Sequence, residues 1–517
     1  MRPRYRAAKA LNAGAPLAPA AAAPRVPAMH ILRRAALLAS FALAAATASP
    51  TRAQDAGLQR QVEAALAAAP YGTRFGLVVA DEDGREIVAI NPDQRFIPAS
   101  NTKLLTTAAA YETLAALDRP DAAGGAAVRL DMDVGRIPDV VLRGHGDARL
   151  SSAPDCIANC LAALADAVAA RTRIVCNVVG DDSLFPDQRW SPGMSWNNMQ
   201  SRYGTATSAL TLDNNELVVR VAPAAAGQPP RLDLLPYYTL DNRAMTVAQG
   251  ATSLSFERMP MSRSVRITGT ILASAEPQTL RLSIDDPAHF AAWRFKSLLE
   301  ARGVRVIGEV EARHRALSAL DEPSRRGGAP AMRPPEPDAL ARLTPPPLTE
   351  DIADINKTSQ NLHAELMLRR VGLARGTGSI GDGVAAVAAM MERAGVPRTG
   401  WDISDGSGMS TYNRMAPRAI VTFLRWAAAR PWGAAWRESL PVAGTDGTLS
   451  SRFRDTPLER RLFAKTGSLN ATHALSGYFV GQSGRTYAFS IYANDVPDGA
   501  SATAAMDAAL QLIAAAN

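Results

Sequence analysis

Of the 56 basic side chains in this chain only five are lysine (Lys9, Lys103, Lys296, Lys357 and Lys465), and the other 51 are arginine. A chain that uses Arg wherever a fixed charge suffices keeps Lys where an ammonium must lose its proton or a compact point charge must fit. Lys103 and Lys465 both sit in short polar clusters that suit such work. In Ser100-Asn101-Thr102-Lys103 the hydroxyl and the amine stand at i and i+3, on one helix face. A serine becomes a nucleophile when a base takes its proton, and a neutral lysine can be that base. Lys103 must then fall from a pKa of ~10.4 to about 7, a difference of roughly 4 kcal/mol that burial beside Leu104 and Leu105 can supply. A helix N-terminus adds partial positive charge beside the developing alkoxide. Alone, Ser-x-x-Lys also describes a capping serine and a surface lysine.

Two further clusters follow downstream. Ser359-Gln360-Asn361 precedes the helical run Leu362 to Val371 and by itself is an ordinary N-cap. Lys465-Thr466-Gly467-Ser468 lies on a strand; a hydroxyl and a lone cation at a sheet edge, with a glycine permitting close backbone approach, suit an extended peptide bearing a carboxylate.

The elements that must position these clusters come from both ends of the chain. Leu58 to Ala67 reads as a helix, and Phe75 to Ala80 with Glu86 to Ile90 as a hairpin around Asp81-Glu82-Asp83-Gly84. A helix is expected from Ser100 to Leu117. Near the C-terminus, Phe463 to Leu469, His473 to Val480 and Thr486 to Ala493 read as three strands, closed by a helix over Thr503 to Ala515. One sheet with helices on its faces accommodates all of them. Between them, short strand-like runs (Val140 to Leu142, Ile174 to Val179, Glu216 to Val221, Ser264 to Ile267, Leu280 to Ile284) and two helices (Ile157 to Ala170, Ala288 to Ala301) read as a β-rich insertion. A Pro/Gly/Arg-rich loop from Asp321 to Pro347 closes it.

Charge separates the leader from the body. Residues 1–53 hold eight basic residues and no acid, which leaves 48 basic against 49 acidic residues in the rest of the 517-residue chain. That balance removes the electrostatic case for nucleic acid despite the formal net charge of +7. Arg33-Arg34 followed by the apolar run Ala35 to Ala46 reads as an export signal, with cleavage after Ala48 or Ala53. The run is too short for a membrane span, which needs about 20 residues. Cys156, Cys160 and Cys176 allow one disulfide in an oxidising compartment, expected between Cys176 and one of the other two. Neither Cys-x-x-Cys nor His-Glu-x-x-His occurs, so no metal and no cofactor is expected.

The three polar clusters, in this order, form the motif set of penicillin-binding proteins and related β-lactamases. The chain resembles the serine penicillin-recognising enzymes. The 259 residues from Ser100 to Ser359 point to the class C low-molecular-mass penicillin-binding proteins, the D-alanyl-D-alanine carboxypeptidase/endopeptidase family. Gly144-His145-Gly146-Asp147, Trp196-Asn197-Asn198-Met199, Asp405-Gly406-Ser407-Gly408-Met409-Ser410 and Leu440 to Leu449 agree with that family. Gln360 departs from it, standing where members commonly carry Asp, and altered local hydrogen bonding is expected there.

The resemblance implies an α+β fold: an antiparallel sheet flanked by helices, built from 54–127 and 341–517, carrying a large β-rich two-module insertion. The first module comprises 128–185 and 276–340, and the second, 186–275, is nested in it. It implies a periplasmic serine DD-peptidase acting on peptidoglycan stem peptides and acylated by β-lactams. Ser100 is then the nucleophile, Lys103 its base, and Ser359 and Asn361 the proton relay and substrate guides. Lys465, Thr466, Gly467 and Ser468 bind substrate, and Asp147 is a candidate contact for the diamino acid of the stem. Two other readings stay open: a β-lactamase or D-amino-acid esterase/amidase, and a non-catalytic wall-binding scaffold. Dimerisation stays open as well.

Overall fold

Five strands, the middle three buried along most of their length, build the central sheet. The strands are β1 (Arg74–Asp81), β2 (Glu86–Ile90), β3 (Leu462–Leu469), β4 (Thr472–Val480) and β5 (Thr486–Asn494). Every neighbouring pair is antiparallel, in the order β3-β4-β5-β1-β2. The computed structural model describes residues 50–132, 137–327, 329–333 and 335–517; Arg33-Arg34 and the apolar run Ala35 to Ala46 lie outside them.

Side chains two apart on a strand share a face, and the two faces of this sheet meet different layers. Val78, Ala80, Ala474, Tyr478, Ala488 and Tyr492 pack into a core with helices α2 (Thr102–Thr113), α3 (Leu348–Lys357), α4 (Asn361–Leu373), α5 (Ile380–Arg393) and α6 (Pro417–Ala428). Leu77, Val79, Leu475, Phe479, Phe489 and Ile491 point the other way. They meet α1 (Pro50–Leu66) through Leu58, Val62 and Leu66, and α7 (Thr503–Ala516) through Met506, Leu510 and Ile513. Burying each such large apolar side chain contributes about 1.5–3 kcal/mol. The fold is therefore α+β, and β3 is left at the sheet edge.

Strands from the middle of the chain build a second five-stranded sheet in the order Val310–Arg315, Val178–Pro186, Asp139–Arg143, Ala127–Asp131, Ala341–Arg342, with smaller sheets beyond it; Ala127 and Ala341–Arg342 thus join this sheet and not the central one. Its core takes Val140 and Val178 together with Val219, Val265 and Ile267. Gln54–Asn517 packs as one unit. The Pro-rich loop is tied down: Glu336 Oε1 lies 2.9 Å from His145 Nε2, and Glu336 Oε2 accepts from Arg342 at 2.8 Å. Arg149 joins the insertion to α3, donating to Asp351 at 2.6 Å and to Asp354 at 2.5 Å.

Several expectations are corrected. The disulfide joins Cys156 to Cys160, whose Cα atoms are 5.8 Å apart, and Cys176 is free. Cys176 is held elsewhere, its N–H donating to Pro138 O. The closed loop delays the following helix, which begins at Leu161 and not at Ile157; Asn159 has φ +57 and Ile157 is exposed. The run Ile174 to Val179 is split, because Ile174–Val175 pairs with Arg305–Val306 while Val178 starts a strand of the larger sheet. The helix expected from Ser100 to Leu117 begins as a 3-10 turn at Ala99–Asn101 and ends at Thr113, with Leu114 extended.

Candidate active site

The nucleophile candidate sits on a sharp turn made by its neighbours. Ala99 adopts φ +47, a conformation L-residues visit at a cost, and Ser100 follows in the 3-10 turn that opens α2. Two glycines permit the crowding around it. A Cβ on Gly408 (φ +91) would lie 1.9 Å from Ala99 O, and one on Gly467 would lie 2.7 Å from Pro98 O and 3.2 Å from Ser100 N. Gly467 thereby lets edge strand β3 run against the backbone of the turn. Asn101 Nδ2 fastens the two by donating to Lys465 O at 2.8 Å.

Lys103 is fully buried one turn further on. Its Nζ is 2.9 Å from Ser100 Oγ, 2.7 Å from Asn361 Oδ1 and 2.6 Å from Ser407 O. The last two acceptors are carbonyl oxygens that cannot donate. A neutral amine gives its two N–H bonds to them and turns its lone pair to the Ser100 hydroxyl. Burial pushes the Lys103 pKa down to about 7, opposed by the charges of Asp405 and Glu365. The carboxamide of Asn361 is itself oriented, because Asn361 Nδ2 donates to Tyr203 O at 2.9 Å. Tyr203 lies in the 3-10 turn Arg202–Gly204, so the middle of the chain completes the surroundings of Lys103.

The second and third clusters meet at a separate lysine. Lys465, also fully buried, donates to Ser359 Oγ and to Thr466 O, each at 3.0 Å. Burial first, and then the charge of Lys103, hold its pKa well below the ordinary range. Both partners are uncharged oxygens, so an incoming carboxylate would supply the missing negative charge. Ser359 has φ +63, the kink from which its hydroxyl reaches Lys465. Gln360 is the N-cap of α4, its side chain accepting from Leu362 N at 3.4 Å. On β3, Thr466 Oγ1 pairs with Thr448 Oγ1 at 2.7 Å, and Ser468 faces His473 across the strand pair.

Eight of the nine sequence-predicted site residues therefore share one neighbourhood. Ser100, Lys103, Asn361, Ser359 and Lys465 are joined by side-chain hydrogen bonds or by the contact of Asn101 with β3, and Thr466, Gly467 and Ser468 continue along that strand. Asp147 stands apart. It is buried, accepts from Asn159 Nδ2 at 2.6 Å and from Arg149 N at 2.8 Å, and burial pushes its pKa up to about 6. Its carboxylate braces the disulfide loop and the arm that carries Arg149. Sequence reasoning missed the carbonyls of Ser407 and Tyr203, and no residue-type signal could have revealed them because any residue supplies a carbonyl. A cavity of about 790 Å³ lined by Arg143, Ser183, Asp321, Arg326, Met332 and Glu336 holds none of these groups.

A serine, a buried amine in hydrogen-bond contact with it, and a second buried lysine on the edge strand define a serine acyl-transfer enzyme of penicillin-binding type. Comparison with known proteins places it more narrowly: residues 58–516 match the D-Ala-D-Ala carboxypeptidase 3 (S13) family, to which the chain belongs. It is a serine-type D-Ala-D-Ala carboxypeptidase. The chain is 34% identical over 494 residues to a D-alanyl-D-alanine carboxypeptidase of Actinomadura sp. (strain R39), covering 89% of this chain and 87% of that one. Its fold is that of penicillin binding protein 4 (dacB) from Haemophilus influenzae, with a TM-score of 0.73, 20% identity, and coverage of 87% of this chain and 98% of that one. A second structure of that Haemophilus protein, complexed with a β-lactam, has a TM-score of 0.69 at 20% identity and covers 88% of this chain and 98% of that one.

Proposed function

We propose that Ser100 attacks the carbonyl carbon of the penultimate D-alanine while Lys103 Nζ takes its proton. The observation that carries this reading is the triple contact of Lys103 with Ser100 Oγ, Asn361 Oδ1 and Ser407 O. The oxyanion is held by the backbone N–H groups of Ser100 and Ser468, and loss of one such donor costs ~10²–10³ in rate. Ser359 passes a proton to the leaving amine, and Asn361 orients the peptide. Lys465 and Thr466 hold the terminal carboxylate. Water then hydrolyses the ester on Ser100 and restores the serine. A β-lactam acylates the same oxygen because its strained amide imitates the D-alanyl dipeptide; the β-lactam complex of the Haemophilus protein supports this.

The same site cuts D-Ala-to-diamino-acid cross-links, since the attacked carbonyl is again that of a D-alanine and only the leaving amine changes. The enzyme works in the periplasm after removal of its leader. Mass spectrometry of muropeptides incubated with the purified protein tests this. Pentapeptide stems should lose one D-alanine and cross-linked dimers should split. Unchanged muropeptides together with rapid nitrocefin turnover would identify a β-lactamase instead.

A further inference from the structure

Beneath the amine of Lys103 lies a layer of buried charge that the mechanism above does not use. Glu365 stands one turn after Asn361 on α4 and is 6% exposed. Its Oε1 accepts from Gly406 N at 3.1 Å and from Ser407 N at 2.9 Å. The carbonyl of that same Ser407 receives the Lys103 N–H at 2.6 Å. Glu365 and Lys103 thus bracket a single residue, one at the N–H of Ser407 and the other at its C=O. Asp405 fixes the rest of the loop, accepting from Gly408 N at 3.0 Å, Ser410 N at 2.6 Å and Asn413 Nδ2 at 2.7 Å. Thr106 holds the preceding carbonyl, donating to Gly406 O at 2.7 Å.

We propose that Glu365 is a positioning residue for acyl transfer: it aims the Ser407 carbonyl at Lys103 and, through its charge, sets how readily Lys103 gives up its proton. The inference rests on Lys103 being the base. A buried carboxylate favours the ammonium form of a nearby amine, opposing the burial that drives Lys103 towards neutrality. The groups facing Lys103 are Ser100 on its own turn, Asn361 and Glu365 on α4, Ser407 and Asp405 in the loop, and Lys465 on β3. Those facing Glu365 are Arg369 on its own helix and Asp405 with Ser407 in the loop. Arg369 is engaged on its far side, donating to Gln188 Oε1 at 3.0 Å. Burial and the neighbouring Asp405 push the Glu365 carboxyl upward.

The bracing and the charge can be separated by one substitution. Glutamine keeps an oxygen able to accept the same two N–H groups and deletes the charge. In Glu365→Gln the acid limb of penicillin acylation, measured as the second-order rate against pH, should move to lower pH by on the order of one unit, the reach of one buried charge across a peptide group. An unmoved limb in the folded variant would overturn the proposal. Should Glu365→Gln fail to fold, Glu365→Asp serves, because it keeps the charge and shortens the reach. Its limb should stay in place while the rate falls at every pH, and a shifted limb with an unchanged rate would overturn the proposal. Failure of the underlying assignment looks different: the limb would then persist in Lys103→Met.

Discussion

Replacing Lys103 with methionine lowers the rate of Ser100 acylation by about 10³-fold, the contribution expected of a positioned general base. Arginine does not rescue it, because a guanidinium stays charged at any pH the protein tolerates and has no lone pair to offer. The wild-type rate should rise with pH through about 7, since only the deprotonated amine accepts the serine proton and burial brings Lys103 to that value. The sign for stability is the same. The folded protein holds Lys103 below its ordinary value of 10.5, so the unfolded chain binds more protons and stability rises with pH between about 7 and 10.5. Stopped-flow acylation and denaturant midpoints across that range check both statements. A Lys103→Met variant with a wild-type rate would remove the base from the mechanism.

Lys465→Ala produces the second large effect, and it is selective. The side chain is buried and, among the described residues, donates to the uncharged Ser359 Oγ and Thr466 O, so the substrate carboxylate is the charge it lacks. Losing a charge-assisted contact of this kind removes about 3 kcal/mol, or about 10²-fold in kcat/KM. A peptide ending in a carboxamide offers no such charge, so wild type and variant should cleave it at rates within a few fold of each other. Steady-state kinetics on the two peptides give the comparison. An equal loss on both would mean that Lys465 shapes the cleft and does not read the carboxylate.

The parts of the site that depend on residue type were legible in the sequence. Lysine is scarce in this chain, which drew Lys103 and Lys465 out of 56 basic residues, and the order of the three clusters did the rest. The central sheet was legible for the same kind of reason: its strands are short runs of strand-forming residues bounded by turn residues such as Asp81-Glu82-Asp83-Gly84. What stayed hidden was carried by backbone. Ser407 and Tyr203 act through carbonyls, and Gly408 acts by the absence of a Cβ where Ala99 comes within contact. Glu365 carries no signal of its own in the sequence, because its partners are two N–H groups 41 and 42 positions away. The cysteine pairing was misjudged because a bridge four residues apart depends on local loop geometry, here including the positive φ of Asn159, which spacing does not reveal. Asp147 carries a carboxylate in a loop that resembles the family's, yet Asn159 and the Arg149 N–H already occupy it.

The most direct test of the account is where a penicillin becomes attached. Incubation with a fluorescent penicillin, digestion, and mass spectrometry of the labelled peptide should place the adduct on Ser100. The Ser100→Ala variant, folded and with its Lys103 intact, should take no label. An adduct on any other residue, or labelling that survives in Ser100→Ala, would contradict the claim that this serine and the amine beneath it carry out the chemistry.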